Sequence, residues 1–115
     1  MAKDGVTIFH NPNCGTSRTV LAALRERGLE PKVVEYLKVG WTKPQLEGLL
    51  AAMKAKPRDL LRMREEKAKA LAAGASDAAI LAAMVADPIL VERPIVVTPK
   101  GAALCRPADR LDALL

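Results

Sequence analysis

The first third of the chain alternates strand and helix signals, and this order limits the fold more than any other feature. Val6–Phe9 is a β-branched, apolar run that predicts a strand, and the turn-forming string Asn11-Pro12-Asn13 ends it. Apolar residues at helical spacing then predict a helix that stops at Gly28, since glycine adopts the left-handed conformation found after helix ends. Lys32–Tyr36 predicts a second strand. Such an opening generates parallel pairing with a right-handed crossover.

Two local details of this opening follow from side-chain chemistry. Ser17 is the expected N-cap of the helix, because a serine hydroxyl accepts hydrogen bonds from the first free N–H groups. Leu29 is expected to fold back onto Leu24, the apolar contact that accompanies a left-handed stop.

The middle of the chain predicts two longer helices. Thr42-Lys43-Pro44-Gln45 combines a cap with a proline in the first turn, and Ser76-Asp77 starts a further helix. Their expected apolar faces are Leu46, Leu49, Leu50 and Met53 in the first, and Ile80, Leu81, Met84 and Val85 in the second.

A short segment, Pro57–Met63, lies between these two helices. We expect it to direct Leu60 and Leu61 inward and to set Arg58 and Arg62, four residues apart, on one face.

The last third of the chain returns to strands. Pro94–Thr98 predicts an apolar strand, and the turn at Lys100-Gly101 is so short that Ala102–Cys105 should pair with it as an antiparallel hairpin. Arg110–Leu115 predicts a closing helix. The whole order predicts an α/β fold: a thioredoxin-like mixed β-sheet flanked by helices, with a helical insertion between the βαβ and ββα halves. A length of 115 residues suits a single domain over residues 1–115.

Composition excludes several classes of function. Aromatic residues make up only 3% of the chain, which counts against stacking of single-stranded nucleic acid, and the net charge of +5 is spread rather than clustered. The longest apolar run is too short to span a bilayer, and Met1–Gly5 has no apolar stretch behind it, so no secretory signal is expected. We therefore expect a soluble, cytoplasmic protein. Two cysteines and one histidine make a poor zinc site.

Cys14 is the residue best placed for chemistry. It lies where the first helix should begin, and unpaired N–H groups and the helix dipole lower the pKa of a thiol at such a position. Gly15 lets a ligand approach the backbone, and Thr16 and Ser17 add hydroxyl donors. Cys14 could instead be a small buried apolar residue, although a loop of Asn, Pro, Gly, Thr and Ser is a poor place to bury one. His10 could be a local cation or proton shuttle, or equally a hydrogen-bonded residue at a strand end.

The site contains one thiol. Ser17 stands three residues after Cys14, where a dithiol motif would carry a cysteine, so a resolving thiol must come from another molecule or, less plausibly, from Cys105. Arginine suits bidentate binding of a tetrahedral oxyanion, although a single arginine is also an ordinary surface residue. The candidates are Arg62, Arg93 and Arg106.

Four segments carry a resemblance to a known family. Phe9–Arg18 resembles the active-site string of the ArsC-type, glutaredoxin-coupled arsenate reductases. Arg58–Arg62 is similar to the central arginine motif of that family, Asp87–Pro99 to its most specific signature, and Leu104–Pro107 follows at the family spacing. The resemblance runs in order along nearly the whole chain.

The resemblance implies a nucleophilic Cys14 whose ionisation is assisted by His10, and a cis bond at Arg93-Pro94. It implies that the cysteine thiolate attacks arsenate, that glutathione attacks the arsenic, and that glutaredoxin removes the glutathione to release arsenite. Glutathione would be a co-substrate, with no tightly bound cofactor, no metal, no nucleic acid or membrane partner, and a monomeric protein. The implied oxyanion ligands are Arg62, Arg93 and Arg106.

One segment departs from the family pattern, and two other functions remain open at this point. Arg64–Ala75 is a few residues shorter than usual and lacks the proline and tyrosine that follow the arginine motif, which bears on the local lid geometry. A related monothiol reductase acting on a glutathione mixed disulfide would need Cys14 but tolerate loss of Arg62 or Arg93. A regulator of the Spx type, which binds RNA polymerase, would typically carry a second cysteine where Ser17 stands.

Overall fold

A computed structural model of the chain describes residues 5–115. Residues 1–4, on which part of the expectation about a secretory signal depends, lie outside the described residues. The chain forms two compact units, one built from residues up to Val39 together with Arg93–Leu115 and the other from Gly40–Glu92. A single domain over residues 1–115 stays a prediction. Within the described residues, no helix has both the length and the apolar character needed to cross a membrane.

The first unit contains a four-stranded mixed sheet. Its elements are β1 (Thr7–Phe9), α1 (Gly15–Glu26), β2 (Lys32–Val34), α2 (Tyr36–Val39), β3 (Ile95–Thr98), β4 (Gly101–Leu104) and a 3₁₀ helix, Ala108–Leu114. In spatial order the strands are β2, β1, β3 and β4. β1 pairs in parallel with β2 and antiparallel with β3, and β3 pairs antiparallel with β4. The predicted parallel pair and the predicted hairpin are both confirmed.

The core of this unit is a cluster of buried apolar side chains. It joins β1 and β3 to α1 and to the closing 3₁₀ helix, so these two helices cover one face of the sheet. The members of the cluster are Val6, Ile8, Val20, Leu21, Leu24, Val96, Cys105, Leu111 and Leu114.

The predicted end of α1 is confirmed. Gly28 has φ of +78° and donates to Arg25 O at 3.0 Å, and Leu29 donates to Leu24 O at 3.2 Å. This pair of bonds is the Schellman motif, and Leu29 packs against the same cluster that contains Leu24.

Two predictions for this unit are wrong. Ser17 is not the N-cap of α1: Cys14 occupies that position with extended backbone, and its carbonyl already accepts the N–H of Arg18 at 3.0 Å. The second strand ends at Val34, and Tyr36 begins α2 instead of extending the strand. The chain turns there because the Tyr36 side chain is completely buried.

The second unit is helical, as the predicted insertion required. It contains α3 (Lys43–Met53), α4 (Glu66–Gly74), α5 (Asp77–Ala86) and two 3₁₀ helices, Pro57–Leu60 and Pro88–Leu90. Thr42 and Gln45 form a capping box at the start of α3, and the Ser76 hydroxyl accepts the N–H of Ala79 at the start of α5. The expected apolar faces are buried, except that Met53 and Val85 are only half-buried.

The predicted pairing of Arg58 and Arg62 on one face is wrong, although Leu60 and Leu61 are buried as expected. The 3₁₀ helix ends at Leu60, and Leu61 forms an antiparallel bridge with Val91. Arg62 therefore follows this bridge outside the 3₁₀ helix, and its N–H donates to Leu90 O at 2.8 Å.

Candidate active site

Cys14 lies at the point where the loop after β1 meets α1. The loop is held by Asn11, whose carbonyl accepts the N–H of Cys14 and whose Oδ1 accepts the N–H of Asn13, both at 3.0 Å. These bonds close a tight Asx turn immediately before the helix. The Cys14 side chain is consequently half-buried at the N-terminus of α1, as the sequence predicted.

Two arginines from the loops that flank the β3–β4 hairpin reach the Cys14 sulfur. Arg106 Nη1 lies 3.6 Å from Cys14 Sγ and also donates to the carbonyl oxygen of Arg93 at 3.3 Å, which fixes its direction. The Arg93 side chain is only 4% exposed and also hydrogen-bonds to the sulfur. Both peptide bonds that follow these arginines, Arg93-Pro94 and Arg106-Pro107, are cis. The cis bond implied at Arg93-Pro94 is confirmed.

These contacts set the ionisation of Cys14. Burial raises the pKa of its thiol, but a hydrogen bond from the backbone N–H of Ser17, hydrogen bonds from Arg106 and Arg93, and the charge of Arg106 outweigh that effect. The net pKa lies below the ordinary cysteine value. At a given pH, Cys14 is therefore thiolate, the nucleophilic form, to a greater extent than an ordinary cysteine.

Ser17 contributes to this site through its backbone. Its side chain is fully buried, and its hydroxyl oxygen accepts the N–H of Asn11 at 3.1 Å and lies 2.7 Å from Nδ1 of His10. The hydroxyl is thus engaged inside the protein, whereas the sequence suggested it as a donor for a bound anion. The helix start explains the difference, because a residue at the third helical position turns its side chain inward here.

His10 ends β1 and is buried. Its N–H donates to Val34 O at 2.8 Å. Burial lowers the pKa of its imidazole; Glu35 raises it, and Arg25 and Arg18 lower it further, with a net decrease. The imidazole is therefore mainly neutral at pH 7, which favours the hydrogen-bonded strand-end interpretation over that of a local cation. Its Nδ1 contacts the Ser17 hydroxyl, and the backbone N–H of Ser17 is hydrogen-bonded to the Cys14 sulfur.

Gly15 and Thr16 follow Cys14 at the surface of the helix start. Gly15 is exposed, and a Cβ added there would meet Arg18 Nη2 at 3.9 Å, an ordinary contact distance. Thr16 is half-buried and lines the same cleft as Gly15. Both residues therefore contribute to the surface of the protein next to Cys14 in the chain.

Arg62, the third candidate arginine, belongs to the second unit. Its side chain is 13% exposed and is ion-paired with Glu92 at 3.4 Å and with Glu65 at 3.7 Å. The guanidinium is thus held between two carboxylates. Cys14, Arg93 and Arg106 all belong to the first unit, and they are in contact within it.

Cys105, the second thiol, has the opposite environment. It is fully buried, and burial raises the pKa of its thiol to about 11, with the charge of Arg110 offsetting part of the increase. It therefore stays protonated at neutral pH. Within residues 5–115, no group of three His, Cys, Asp or Glu side chains is arranged to hold a metal ion.

Sequence reasoning assigned no role to Asn11 or Arg18, and both belong to the site region. The Asn-Pro-Asn string could have indicated the Asx turn, because Asn favours such turns. Arg18 Nη1 donates to Pro12 O at 2.9 Å, a contact that depends on the helix starting at Gly15 and could not be read from the sequence.

Comparisons with known proteins agree with this geometry. The sequence model of the ArsC family matches residues 9–114. Arsenate reductase ArsI1 of Synechocystis sp. is 52% identical over 112 residues, which cover 95% of this chain and 78% of that protein. The arsenate reductase of Escherichia coli strain K12 is 42% identical over 107 residues, covering 90% of this chain and 76% of that protein.

Solved structures of arsenate reductases are also similar to this chain. The arsenate reductase from Vibrio cholerae superposes with a TM-score of 0.88 at 38% identity, covering 96% of this chain and 97% of that one. The predicted fold class, a thioredoxin-like mixed sheet with flanking helices, is confirmed.

Proposed function

Because the chain belongs to the ArsC family, whose sequence model matches residues 9–114, we propose that it is an arsenate reductase with Cys14 as its nucleophile. The observation that carries this proposal is the sulfur of Cys14, hydrogen-bonded by two arginines and a helix N–H, with a lowered pKa. The other thiol, Cys105, has its pKa raised to about 11 and is unsuited to attack at neutral pH.

The first step joins sulfur to arsenic. The Cys14 thiolate attacks the arsenic of arsenate, an S–As bond forms, and one arsenic oxygen leaves as water after taking up protons. Arg106 and Arg93 stabilise the thiolate before attack, and their guanidinium groups then bind the oxyanion that the sulfur has joined. Arg62 is the third oxyanion ligand in this proposal, exchanging part of its pairing with Glu92 for the substrate.

Reduction follows through two further thiols. Glutathione attacks the arsenic, a second As–S bond forms, and another oxygen leaves as water. A glutaredoxin thiol then attacks the glutathione sulfur and forms a glutaredoxin–glutathione disulfide. The As–S bond breaks, and its electron pair stays on arsenic, which passes from As(V) to As(III) while the two sulfurs are oxidised. Water finally replaces Cys14 on arsenic, releasing arsenite and the free thiol. The proposal of two external thiols is supported by the single thiol of this site and by the burial of the second cysteine, Cys105.

The partners of the proposed enzyme are accordingly arsenate, glutathione and glutaredoxin, and it acts as a monomer without a tightly bound cofactor. Both thiol partners belong to reducing compartments, so the proposal places its activity in the cytoplasm.

The test is arsenite release by purified protein supplied with arsenate, glutathione and glutaredoxin. Cys14→Ser should abolish turnover, because the hydroxyl remains protonated. Cys105→Ala is the matched control: it removes the other thiol, which is buried, and should retain turnover with some loss of stability. Wild-type protein that releases arsenite no faster than Cys14→Ser would refute the proposal.

A further inference from the structure

A cleft of about 650 Å³ opens beside the nucleophile in the first unit. Its walls are the first two turns of α1, from Gly15 to Ala22, and the Pro107-Ala108 turn that follows Arg106. Its volume lies within the range of small-molecule sites. We refer to it as the α1 cleft. It begins at Gly15, the residue next to Cys14, and ends at Pro107, the residue next to Arg106.

Arg18 gives the α1 cleft its charge. Its Nη1 is anchored on Pro12 O at 2.9 Å, and its Nη2 lies 3.9 Å from the point that a Gly15 Cβ would occupy. The guanidinium is therefore held across the bare backbone of Gly15. Among the described residues, no carboxylate forms an ion pair with it. An anchored, uncompensated guanidinium is suited to bind a carboxylate.

We propose that the α1 cleft binds the thiol co-substrate, a peptide-sized thiol with free carboxylates, and that Arg18 pairs with one of these carboxylates. This inference rests on the proposed function, since it supplies the thiol for the second step. Thr16 and Thr19 line the same cleft; the Thr19 hydroxyl is bound to Gly15 O at 3.0 Å.

The chemistry at this site is a condensation without change of oxidation state. The sulfur of the bound thiol attacks the arsenic attached to Cys14, and a second As–S bond forms. One arsenic oxygen leaves as water, carrying the thiol proton and the proton of an arsenic hydroxyl. Arsenic stays As(V) until glutaredoxin attacks the co-substrate sulfur that is now bonded to arsenic.

The kinetic test varies glutathione at saturating arsenate and glutaredoxin. Arg18→Gln should raise the KM for glutathione about threefold to fivefold, the size expected for an exposed ion pair, and leave the KM for arsenate unchanged. Arg18→Lys, which keeps the charge, should recover most of the loss. The matched control is Arg25→Gln on the same helix, because both arginines lower the pKa of His10 but only Arg18 lines the α1 cleft.

A second arm removes the carboxylates from the thiol instead. With glutathione diethyl ester, the ratio of kcat/KM between wild type and Arg18→Gln should fall to about one, since no carboxylate remains to pair. A ratio that stays as large as with glutathione would show that Arg18 acts in another way, and would overturn the inference.

Binding without turnover separates this inference from the proposed function. S-methylglutathione cannot attack arsenic, and its titration should shift the amide NMR signals of Thr16, Thr19, Ala22 and Ala108, more weakly in Arg18→Gln than in Arg25→Gln. If the wild type releases no arsenite, the proposed function fails. This titration still shows whether the α1 cleft binds the co-substrate. Shifts outside the α1 cleft, or equal affinity in Arg18→Gln and wild type, would overturn the inference.

Discussion

Cys14 and Cys105 both lose hydration through burial, yet the pKa values of their thiols move in opposite directions. The difference comes from the polar groups that reach each sulfur. Cys14 receives a backbone N–H and two guanidinium groups, whereas the Cys105 sulfur lies 3.8 Å from the carbonyl oxygen of Ala103, which does not stabilise a thiolate. Reactivity is therefore a property of the partners around each sulfur.

A second single-residue test asks whether Arg62 binds the oxyanion substrate. Arg62→Gln should lower kcat/KM for arsenate roughly tenfold to hundredfold, because a hydrogen bond from a charged group to a bound anion contributes about 1.5–3 kcal/mol. The measurement is steady-state arsenite release at varied arsenate.

The control for this substitution is Arg58→Gln. Arg58 also has a carboxylate partner, Asp77 at 3.6 Å, and its guanidinium donates to the carbonyl of Ala75 at 3.1 Å. Its loss should affect stability and leave the KM for arsenate unchanged. Equal activity of wild type and Arg62→Gln would favour a thiol reductase that does not bind an oxyanion.

Cys14 could be named from the sequence because it directly precedes a predicted helix. The three arginines were identified through the family resemblance, since a single arginine is also an ordinary surface residue. Their roles were harder to predict. The inward direction of the Ser17 hydroxyl depends on α1 starting at Gly15, and the neutrality of His10 depends on burial that no local pattern encodes. The carboxylate pairing of Arg62 requires the bridge between Leu61 and Val91, a contact between distant parts of the sequence.

Among the helices and strands, the best predicted features are the helix ends and the turn, because local backbone stereochemistry determines them. The left-handed stop at Gly28, the cap at the start of α3 and the hairpin of β3 and β4 are all found where the sequence predicts them. The helix α4 was not predicted, because its residues lack an apolar stripe and Ala68 is its only buried member. Burial of Tyr36 overrode the strand preference of its neighbours.

Two glycine substitutions test the backbone argument for α1. Gly28→Ala should lower the free energy of unfolding by about 1–2 kcal/mol, because alanine is strained at positive φ. No atom lies within 4 Å of the added Cβ, so a steric clash should add nothing to this loss. Gly48→Ala, inside α3 and with nothing within 4 Å, should raise it by about 0.5–1 kcal/mol. Urea denaturation measures both; changes of the same sign would refute the argument.

At the scale of the whole molecule, the prediction of a single domain can be tested with two natural probes. The chain has one tryptophan, the buried Trp41 of the second unit, and one histidine, the buried His10 of the first. If residues 1–115 form one cooperative domain, Trp41 fluorescence and the His10 imidazole NMR signal should change at the same urea concentration. Separate midpoints for the two signals would indicate two independently unfolding domains.

The proposed mechanism depends most on the ionisation of the Cys14 sulfur, which the pH dependence of iodoacetamide alkylation measures directly. Mass spectrometry distinguishes the Cys14 peptide from that of Cys105. A lowered pKa means that the thiolate persists to lower pH, so the midpoint for Cys14 should lie below the ordinary cysteine value of 9.0. Arg106→Gln should move the midpoint upward, whereas Arg110→Gln, whose charge acts on Cys105, should leave it in place. A wild-type midpoint at or above the ordinary value, or one unmoved by Arg106→Gln, would contradict the account.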